Sequence, residues 1–532
     1  MNKYKAIILS LLISFMGASC EDWLYDNVNE DAAHEVLPQQ VLPVVLFYSA
    51  QLQFDHAEYG AYLTQTLTTG GRNQTSSFAY KSGWGDFLTM NRHPQWRRHF
   101  YDIGVNAKEI IDEAHEAQAW NLELIGRTLR LMSTQMTTDL FGDMPRSEAY
   151  ESNSPHYDTQ ESIYEWMNQE IEELIGMYED PTYTEAATNI PIDQSIDRVF
   201  AGDLNKWKHY TYALKARLLL RKLPNWENNA ATCQAIITAV NRALEGWEDV
   251  LYRFDGGNGA QNSPWGEAFG STEQGGLGWE GRGNMLNSAV PTKYFMENIL
   301  GVFESHNNLK GWAEDPRILA FMSARPGPSG TSDSGTEMRY LDTNIGMDVS
   351  YKVDNYPTLF PEVDGKKVSV YTQNTGYVPL FLEEELLLIK AEATYWSGDK
   401  PTARSLTMQA AEINFDRFNL SSIYGSSYTR YRNNYLGNET GTGNYVTTYF
   451  PADGFNIGHI MRQKYVCLYL QPEQWTDMRR YNYSCEENGI QYDNTYVYPG
   501  LKRPNNIYEA HWGDDPKAWI NRINYDLSLI HI

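Results

Sequence analysis

The sequence predicts a mainly α-helical protein with one tetratricopeptide-like helix pair and a long irregular, loop-rich region. Apolar residues recur at intervals of three and four over several long stretches, which is the period of a helix with one buried face. One stretch, 383–415, has the length and the central turn of a helix pair. Between 249 and 379 the helical period disappears, and Gly, Ser, Asn, Asp and Pro cluster instead.

Three helices are predicted before residue 249, after a tether that ends near Pro43. Their buried faces are Leu122, Ile125, Leu129, Met132 and Met136 in the first, Ile163, Met167, Ile171, Leu174 and Tyr178 in the second, and Trp207, Tyr210, Leu214 and Leu218, with Arg221 at the edge, in the third. We expect the first of these helices to end at Gly142, because glycine adopts the left-handed C-cap conformation and Pro145 cannot continue a helix.

Helices resume at Leu382 after the irregular region. Within 383–415, a tight turn at Gly398-Asp399 separates two helices, and small residues at their contacts permit close crossing: Ala391, Ala393, Ala403 and Ala410. A last long helical region is predicted from Ile457 to about Tyr481. Long irregular segments such as 255–284 are uncommon in a compact domain unless they serve a function.

Composition excludes some functions and favours others. The chain of 532 residues has a formal net charge of −25, which argues against nucleic acid, whose affinity for proteins comes largely from neutralised phosphates. Hydrophobic residues make up 42%, enough for a large core rather than a disordered chain. The 37 Tyr and 15 Trp combine an apolar ring with a polar atom, a combination that suits surfaces on which sugar rings stack.

The four cysteines include none at metal-ligand spacing. Cys233, Cys467 and Cys485 are predicted to be buried, inert thiols, and a Cys467–Cys485 disulfide stays open as an alternative. We predict no cofactor. Asp255 and Asn258 in a glycine-rich turn carry oxygens of the kind that calcium prefers, but their spacing is not that of an EF-hand.

The sequence contains no catalytic motif in the structural context that its chemistry requires. The segment 276–281 matches G-x-G-x-x-G, but no apolar strand precedes it and no helical pattern follows, so a dinucleotide site is not predicted. The sequence contains neither H-E-x-x-H nor G-x-S-x-G. With 68 acidic residues, paired carboxylates are too common to indicate a glycosidase. We therefore expect a protein that is not an enzyme.

The amino terminus has the pattern of an export signal. Lys3 and Lys5 precede an apolar run from Ala6 to Phe15, which is too short to cross a bilayer as a helix. Small residues then lead to Cys20, so residues 1–19 are predicted to be a lipoprotein signal peptide and Cys20 the lipidated residue. An ordinary secretory signal and an inefficient membrane anchor are the alternatives. The acidic pair 21–22 resembles the surface-export signal of Bacteroidetes-type lipoproteins.

Four separated segments carry a family resemblance. In 461–483 the pattern consists of Gln463, Lys464, Glu473, Trp475, Asp477, Arg479 and Arg480. It resembles the late signature of the SusD/RagB family of nutrient-binding outer-membrane lipoproteins, although Gln474 stands where that family usually has Ala. Segments 139–150, 199–221 and 386–399 are similar to three further motifs of the family in the same order, and 199–221 is closest in pattern to the SusD-like 2 subgroup.

The resemblance implies a fold and a function. The expected fold is one SusD-like domain over 20–532, with four tetratricopeptide-like helix pairs in a scaffold at about 44–248 and 380–485, and a ligand-facing region at about 249–379. The expected function is to bind oligosaccharides at the exterior of the outer membrane and deliver them to a SusC-like TonB-dependent transporter. A RagB-like peptide-binding importer subunit is the alternative, and a surface adhesin is a third class. The motif residues Glu473, Trp475, Asp477 and Arg479 are expected to hold helices together rather than to bind ligand.

Ligand contacts are not transferable from the family motifs, so we chose candidates by their chemistry. An aromatic ring beside Arg, Asn or Gln suits sugar hydroxyls. The early loop, 68–87, and the middle loop, which we take as 255–284, contain this combination. The candidates are Arg72, Asn73, Gln74 and Trp84 in the early loop, and Trp265, Trp279, Arg282 and Asn284 in the middle loop. Trp84 and Trp279 are the strongest, because neighbouring glycines leave their rings open.

Overall fold

The structure is a computed structural model, and it describes twelve stretches of the chain. These are residues 37–68, 94–152, 154–224, 230–257, 261–269, 285–287, 289–302, 315–323, 340, 356–437, 449–503 and 519–523. Within them the protein is mainly helical, as the sequence predicts.

The longer helices run in chain order through the scaffold. They are α1 (Pro38–Leu63), α2 (Asn106–Glu116), α3 (Trp120–Phe141), α4 (Gln160–Glu179), α5 (Leu204–Leu220), α6 (Ala230–Leu244), α7 (Glu383–Trp396), α8 (Lys400–Phe418), α9 (Ser426–Leu436), α10 (Ile457–Cys467) and α11 (Glu473–Arg480). Short α-helices occupy Pro94–Arg97, Pro181–Thr184, Ile318–Phe321 and Leu420–Tyr424, π-helices occupy Arg98–Val105 and Tyr294–Ile299, and a 3-10 turn occupies Met285–Asn287.

The described strands are short and form two-stranded antiparallel sheets. They are β1 (Leu67–Thr68), β2 (Val250–Arg253), β3 (Val290–Pro291), β4 (Glu362–Val363), β5 (Lys366–Lys367) and β6 (Tyr377–Phe381). The pairs are β1 with β3, β2 with β6, and β4 with β5. In the β2–β6 ladder, Val250 lies opposite Phe381 and Arg253 opposite Tyr377. The irregular region between these two strands therefore leaves the helical scaffold and returns to it at one place.

Local sequence explains where the helices begin and end. The side chains of Thr159, Asp203 and Asp399 each accept a hydrogen bond from a backbone N–H in the first turn of α4, α5 and α8. Such capping satisfies amides that have no partner inside the helix. At the other end, α3 stops at Gly142 as predicted, but with φ +85° and ψ −124° this glycine is outside the left-handed helical conformation that was expected.

Neighbouring helices pack in series, which is the arrangement of a tetratricopeptide-like array. Each helix from α2 to α8 packs against the next, and α10 packs against α7 and α8. The predicted pair is α7 and α8, with Gly398 in the turn at a φ of +98°. The alanines predicted at the contacts of this pair are fully buried, as close helix crossing requires.

Two helical boundaries differ from the sequence-based expectation. Helix α1 begins at Pro38, within the predicted tether, and passes through Pro43. The predicted long helix from Ile457 to Tyr481 is two helices, α10 and α11. The break occurs where Leu470 has a φ of +58° and where Pro472 offers no N–H to an ongoing helix.

The three cysteines of the described residues agree with the prediction of buried thiols. Cys233, Cys467 and Cys485 are buried and free, so the alternative Cys467–Cys485 disulfide is wrong. Burial raises the pKa of the Cys467 thiol to about 12, which keeps it protonated and unreactive. Among the helices of the described stretches, none has the length and apolar character needed to span a bilayer.

Candidate ligand-binding surface

Most of the predicted ligand residues lie outside the described residues. This holds for Arg72, Asn73, Gln74 and Trp84 in the early loop, for Trp279, Arg282 and Asn284 in the middle loop, and for the predicted lipidation site Cys20. What the structure does describe is the place in the scaffold where the early loop begins and where the chain returns after the middle loop.

The early loop begins, and the middle loop ends, beside one two-stranded ladder. In the β1–β3 pair, Leu67 lies opposite Pro291 and Thr68 lies opposite Val290. The early loop follows Thr68 directly, and the middle loop lies in the chain a few residues before Val290. The Thr292 hydroxyl donates to the Gln65 carbonyl beside the ladder. The sequence placed candidate residues in both segments without evidence that the segments are neighbours, and the ladder brings their ends together.

A buried chain of hydrogen bonds connects α10 and α11 to the residues just before β1. The hydroxyls of Thr66 and Tyr465 are 2.7 Å apart, and the Tyr465 hydroxyl also donates to the Thr64 carbonyl at 3.0 Å. The Gln474 amide nitrogen donates to the Tyr465 carbonyl at 2.6 Å, and its oxygen accepts from the Thr66 hydroxyl at 3.4 Å. Gln474, the residue that departs from the family pattern, thus links α11 to the base of the early loop.

Trp265 is a correction to the predicted ligand residues. Its ring is 1% exposed and packs edge-on against Phe54 of α1, with ring centroids 4.5 Å apart. Phe269 packs against the same ring of Phe54 at 5.6 Å. Trp265 is therefore a core residue that fixes the start of the middle loop to α1, and it offers no face on which a sugar could stack.

Polar residues of α1 that were not predicted from the sequence are buried beside Phe54. Gln51 and Gln53 are 1% and 2% exposed, and both carry amide atoms with no hydrogen-bond partner among the described residues. Buried amides in native proteins are usually satisfied by protein, water or ligand. The signal was present in the sequence, because Gln51, Gln53, Asp55 and His56 interrupt an otherwise apolar helix beside Phe54.

The family motif on α11 forms a buried charge network. Arg480 donates to the two carboxylate oxygens of Glu392 at 2.8 and 2.9 Å and pairs with Asp477 at 2.6 Å. Lys464 lies 3.0 Å from Asp477 and 3.5 Å from Glu392, which also accepts from the Tyr481 hydroxyl at 2.7 Å. These contacts join α7, α10 and α11, as predicted for the motif.

A second part of the network joins α5 to α7, α11 and α3. Arg217 donates to both oxygens of Glu385 at 2.9 and 2.8 Å, and its guanidinium lies 4.1 Å from the Phe381 ring centroid. Arg221 pairs with Asp139 and with Glu473, each at 2.8 Å. Burial opposes ionisation of Glu473, but the charges of Arg221 and Arg217 outweigh it and lower its pKa to about 2. The contacts of this network hold helices together, as the sequence predicts for Glu473 and Asp477.

The described residues provide no group of three or more His, Cys, Asp and Glu side chains placed to hold a metal ion. Of the two residues considered for calcium, Asn258 lies outside the described residues, and the Asp255 carboxylate accepts a hydrogen bond from Arg198 at 2.6 Å. A cation at Asp255 would have to replace this guanidinium.

The chain belongs to the SusD-like family. A family model described as "Starch-binding associating with outer membrane", of the SusD-like 2 type, matches residues 39–498. Comparison with curated proteins gives no match.

Solved structures share the fold at low sequence identity. A SusD/RagB family protein from Bacteroides thetaiotaomicron is 17% identical with a TM-score of 0.59, covering 88% of this chain and 91% of that one. A chitin-binding SusD homolog from Flavobacterium johnsoniae is 16% identical with a TM-score of 0.56, covering 84% of this chain and 85% of that one. A further structure named as a chitin-binding protein is 15% identical with a TM-score of 0.59, covering 92% of this chain and 93% of that one.

Proposed function

We propose that this chain is a surface lipoprotein of the outer membrane that binds oligosaccharides and delivers them, chemically unchanged, to a SusC-like TonB-dependent transporter. The observation that supports the proposal is the β1–β3 ladder, beside which the early loop begins and the middle loop ends. We infer that Trp84 and Trp279, with Arg72, Asn73, Gln74, Arg282 and Asn284, contribute to one surface, on which rings stack on sugar faces and polar side chains contact hydroxyls.

The family and its neighbours support an oligosaccharide as the ligand. The family model is described as starch-binding, and two of the structural neighbours are named as chitin-binding proteins. A scaffold that is held rigid by a buried charge network suits a binding role, because it keeps the loop bases fixed while the loops vary in sequence. The proposal assigns no catalytic residue.

Titration calorimetry of the purified full-length protein tests this function. The panel contains plant, host and microbial oligosaccharides together with one mixed peptide digest. We expect saturable binding to one class of sugar, and we expect Trp84→Ala and Trp279→Ala each to weaken it about tenfold, since one stacked ring contributes on the order of 1 kcal/mol beyond its buried area. The matched control is Trp247→Phe, since Trp247 packs on Phe381 in the scaffold and should leave the affinity unchanged.

Other outcomes of the same titration would redirect the function. Binding to peptides alone would place the chain with the RagB-like peptide importers. Sugar binding that is equally strong in both tryptophan variants would contradict the assignment of the two loops. An oligosaccharide recovered in shortened form would contradict a role without catalysis.

The membrane attachment is proposed to depend on one residue, Cys20. The apolar run before it is too short to act as a spanning helix, so a lipid on its thiol is the expected anchor. We expect Cys20→Ala to fold normally but to leave the outer-membrane fraction when the transporter is absent. If this variant stayed in that fraction, the lipid-anchor proposal would be wrong.

A further inference from the structure

A cavity of about 340 Å³ lies between the turn that follows α11 and the described segment 519–523. Asn482, Glu487 and Ile490 of the turn line one part of it, and Trp519 and Asn521 line another. The volume is at the lower end of the range for small-molecule sites. None of the lining residues belongs to the early or the middle loop, so the cavity is formed by a part of the chain for which the sequence predicts no ligand contact.

The wall formed by the turn is held in place by one asparagine. The Asn488 side chain accepts a hydrogen bond from the Ile490 N–H at 3.1 Å. It also donates to the carbonyls of Asn482 and Tyr483, at 2.8 and 2.9 Å. Asn482 and Tyr483 have φ of +48° and +50°, a backbone conformation that persists where neighbouring contacts hold it. A ligand that enters the cavity therefore meets a preformed wall, and little ordering is needed on binding.

The wall formed by 519–521 is fixed to α11 through Tyr483. The Trp519 ring stacks on the Tyr483 ring, with centroids 4.7 Å apart and an interplanar angle of 22°. The Tyr483 hydroxyl accepts from Trp475 Nε1 at 2.6 Å and donates to the Ile520 carbonyl. Trp519 is half-buried and contributes to the cavity wall. Both walls are therefore set by the same tyrosine.

The lining combines neutral polar groups with apolar ones. Asn482 and Asn521 are exposed, and within the described stretches neither the Asn482 side-chain oxygen nor the Asn521 side-chain amide has a hydrogen-bond partner. An amide group donates as well as accepts, so these two side chains suit the hydroxyls of a ligand. Ile490, which is 39% exposed, and Trp519 supply apolar surface on which the C–H groups of a sugar ring can pack.

The two charged residues that line the cavity are paired with each other. The Glu487 carboxylate accepts from Arg503 Nε at 3.2 Å and from the Arg503 backbone N–H at 2.9 Å. An ionised ligand would have to compete with this pair, whereas an uncharged ligand would leave it intact. The lining therefore favours an uncharged ligand.

One wall of the cavity is connected to the base of the early loop. The Gln65 side-chain nitrogen donates to the carbonyl of Lys502, the residue before Arg503. Gln65 lies just before β1, and the early loop follows this strand. A ligand contact in the cavity would thus be anchored to the same part of the scaffold as the early loop.

We propose that this cavity binds one uncharged sugar unit, as a glycan contact in addition to those of the early and middle loops. The choice of a sugar rests on the proposed function, whereas the residues are different from those of the two loops. The sugar hydroxyls bind the side chains of Asn482 and Asn521, and the sugar C–H groups pack on Ile490 and Trp519. A sugar acid gains nothing over the neutral sugar, because Arg503 is already paired with Glu487.

Fluorine NMR of the full-length protein labelled with fluorotryptophan tests the proposal, because the Trp519 resonance is local to this cavity. The resonance that disappears in Trp519→Phe is that of Trp519. The protein titrated is the double variant Trp84→Ala/Trp279→Ala, in which the proposed loop surface is disabled.

The probes are glucose, N-acetylglucosamine, maltose and chitobiose, with glucuronate as the charged comparison. We expect saturable movement of the Trp519 resonance with at least one neutral sugar, with a Kd on the order of 10 mM, as befits a small neutral contact. Glucuronate should bind no more tightly than glucose. The Trp247 resonance should not move, since Trp247 packs on Phe381 in the scaffold.

Substitutions of Asn521 connect the movement to the cavity wall. Asn521→Ala keeps the backbone carbonyl that accepts from Arg479 at 3.0 Å but removes the side-chain amide. We therefore expect the Kd to rise about fivefold, as for one lost hydrogen bond. Asn521→Phe should block the cavity and abolish the movement. The matched control is Asn205→Ala, at an exposed asparagine in the first turn of α5, which should leave the Kd unchanged.

A Trp519 resonance that stays in place with every neutral sugar, at concentrations about tenfold above the expected Kd, would overturn the proposal. So would a movement that is equally large in Asn521→Phe, because the sugar would then bind elsewhere. Oligosaccharide binding by the wild type with a stationary Trp519 resonance would refute this cavity alone. Movement of the resonance, with an affinity that is unchanged in the two loop tryptophan variants, would refute the loop assignment alone.

Discussion

Replacing Glu392 with Gln is expected to lower the free energy of unfolding by about 3–5 kcal/mol, although the substitution changes almost no volume. Glu392 is fully buried and holds Arg480, Lys464 and the Tyr481 hydroxyl. The side chains of Arg480 and Lys464 are 6% and 1% exposed. Without the Glu392 carboxylate, Asp477 is the one carboxylate left to pair with both Arg480 and Lys464 among the described contacts. Because both cations are buried, water cannot replace the lost interaction.

Urea unfolding of the wild type and the variant measures this difference. The matched control is Glu248→Gln, which breaks the ion pair between Lys206 and Glu248 at 2.6 Å. These side chains are 32% and 55% exposed, so we expect the control to cost less than about 1 kcal/mol. If Glu392→Gln cost no more than this control, the buried network would not be what holds α7, α10 and α11 together.

Lowering the pH from 7.5 to 5 is expected to lower the free energy of unfolding by about 2 kcal/mol for each of His56 and His99. Both rings are buried, and burial lowers the pKa of each from 6.5 to about 3. For His56 the charge of Arg479 acts in the same direction. The His99 ring accepts or donates one hydrogen bond, with Nδ1 lying 2.7 Å from the Ser133 hydroxyl.

The sign follows from the two states of the histidines. Below pH 6.5 the unfolded chain takes up a proton at each position, whereas the folded chain does not until about pH 3. The full stability is therefore present above pH 6.5 and is lost progressively as the pH falls below it. Glu473, with a pKa lowered from 4.5 to about 2, contributes its own loss only below about pH 4.5. The window from 7.5 to 5 therefore excludes Glu473, while His459, whose pKa is also lowered by burial, adds a loss of the same sign as His56 and His99.

Substitutions assign the effect to its residues. His99→Asn can keep the hydrogen bond to Ser133 without a titrating group, and His56→Gln removes the other buried ring. Each variant should remove about 2 kcal/mol of the pH dependence between 7.5 and 5, and the contribution of His459 should remain. The control is His156→Asn, because the side chain of His156 is 58% exposed. An unchanged slope in both buried-histidine variants would contradict this account.

Local pattern was sufficient to predict α3, α4, α5, α7 and α8, whereas α1, α2, α6 and α9 were not predicted. The faces of α3, α4 and α5 and the α7–α8 pair follow from apolar spacing and from Gly142 and Gly398, and these features act within a few residues. The split between α10 and α11 was missed, because apolar spacing continues across Leu470 and Pro472 while the backbone does not.

The site was harder to predict because its contacts are distant in sequence. Trp265 lies between Pro264 and Gly266, a setting typical of an exposed loop, and its burial depends on Phe54 of α1. Arg221 was predicted at the edge of an apolar face, and only the fold shows that Asp139 and Glu473 surround it. The same is true of the β1–β3 ladder, which no local pattern indicates.

The most direct test of the central claim is the length dependence of sugar binding. Starch and chitin oligosaccharides from one to six units, titrated into the full-length protein by calorimetry, form the series. A surface with two stacking tryptophans predicts an affinity that rises at least about tenfold from the monosaccharide to the longer oligomers, each recovered intact. Equal affinity for one unit and for six would contradict an extended oligosaccharide surface on the early and middle loops.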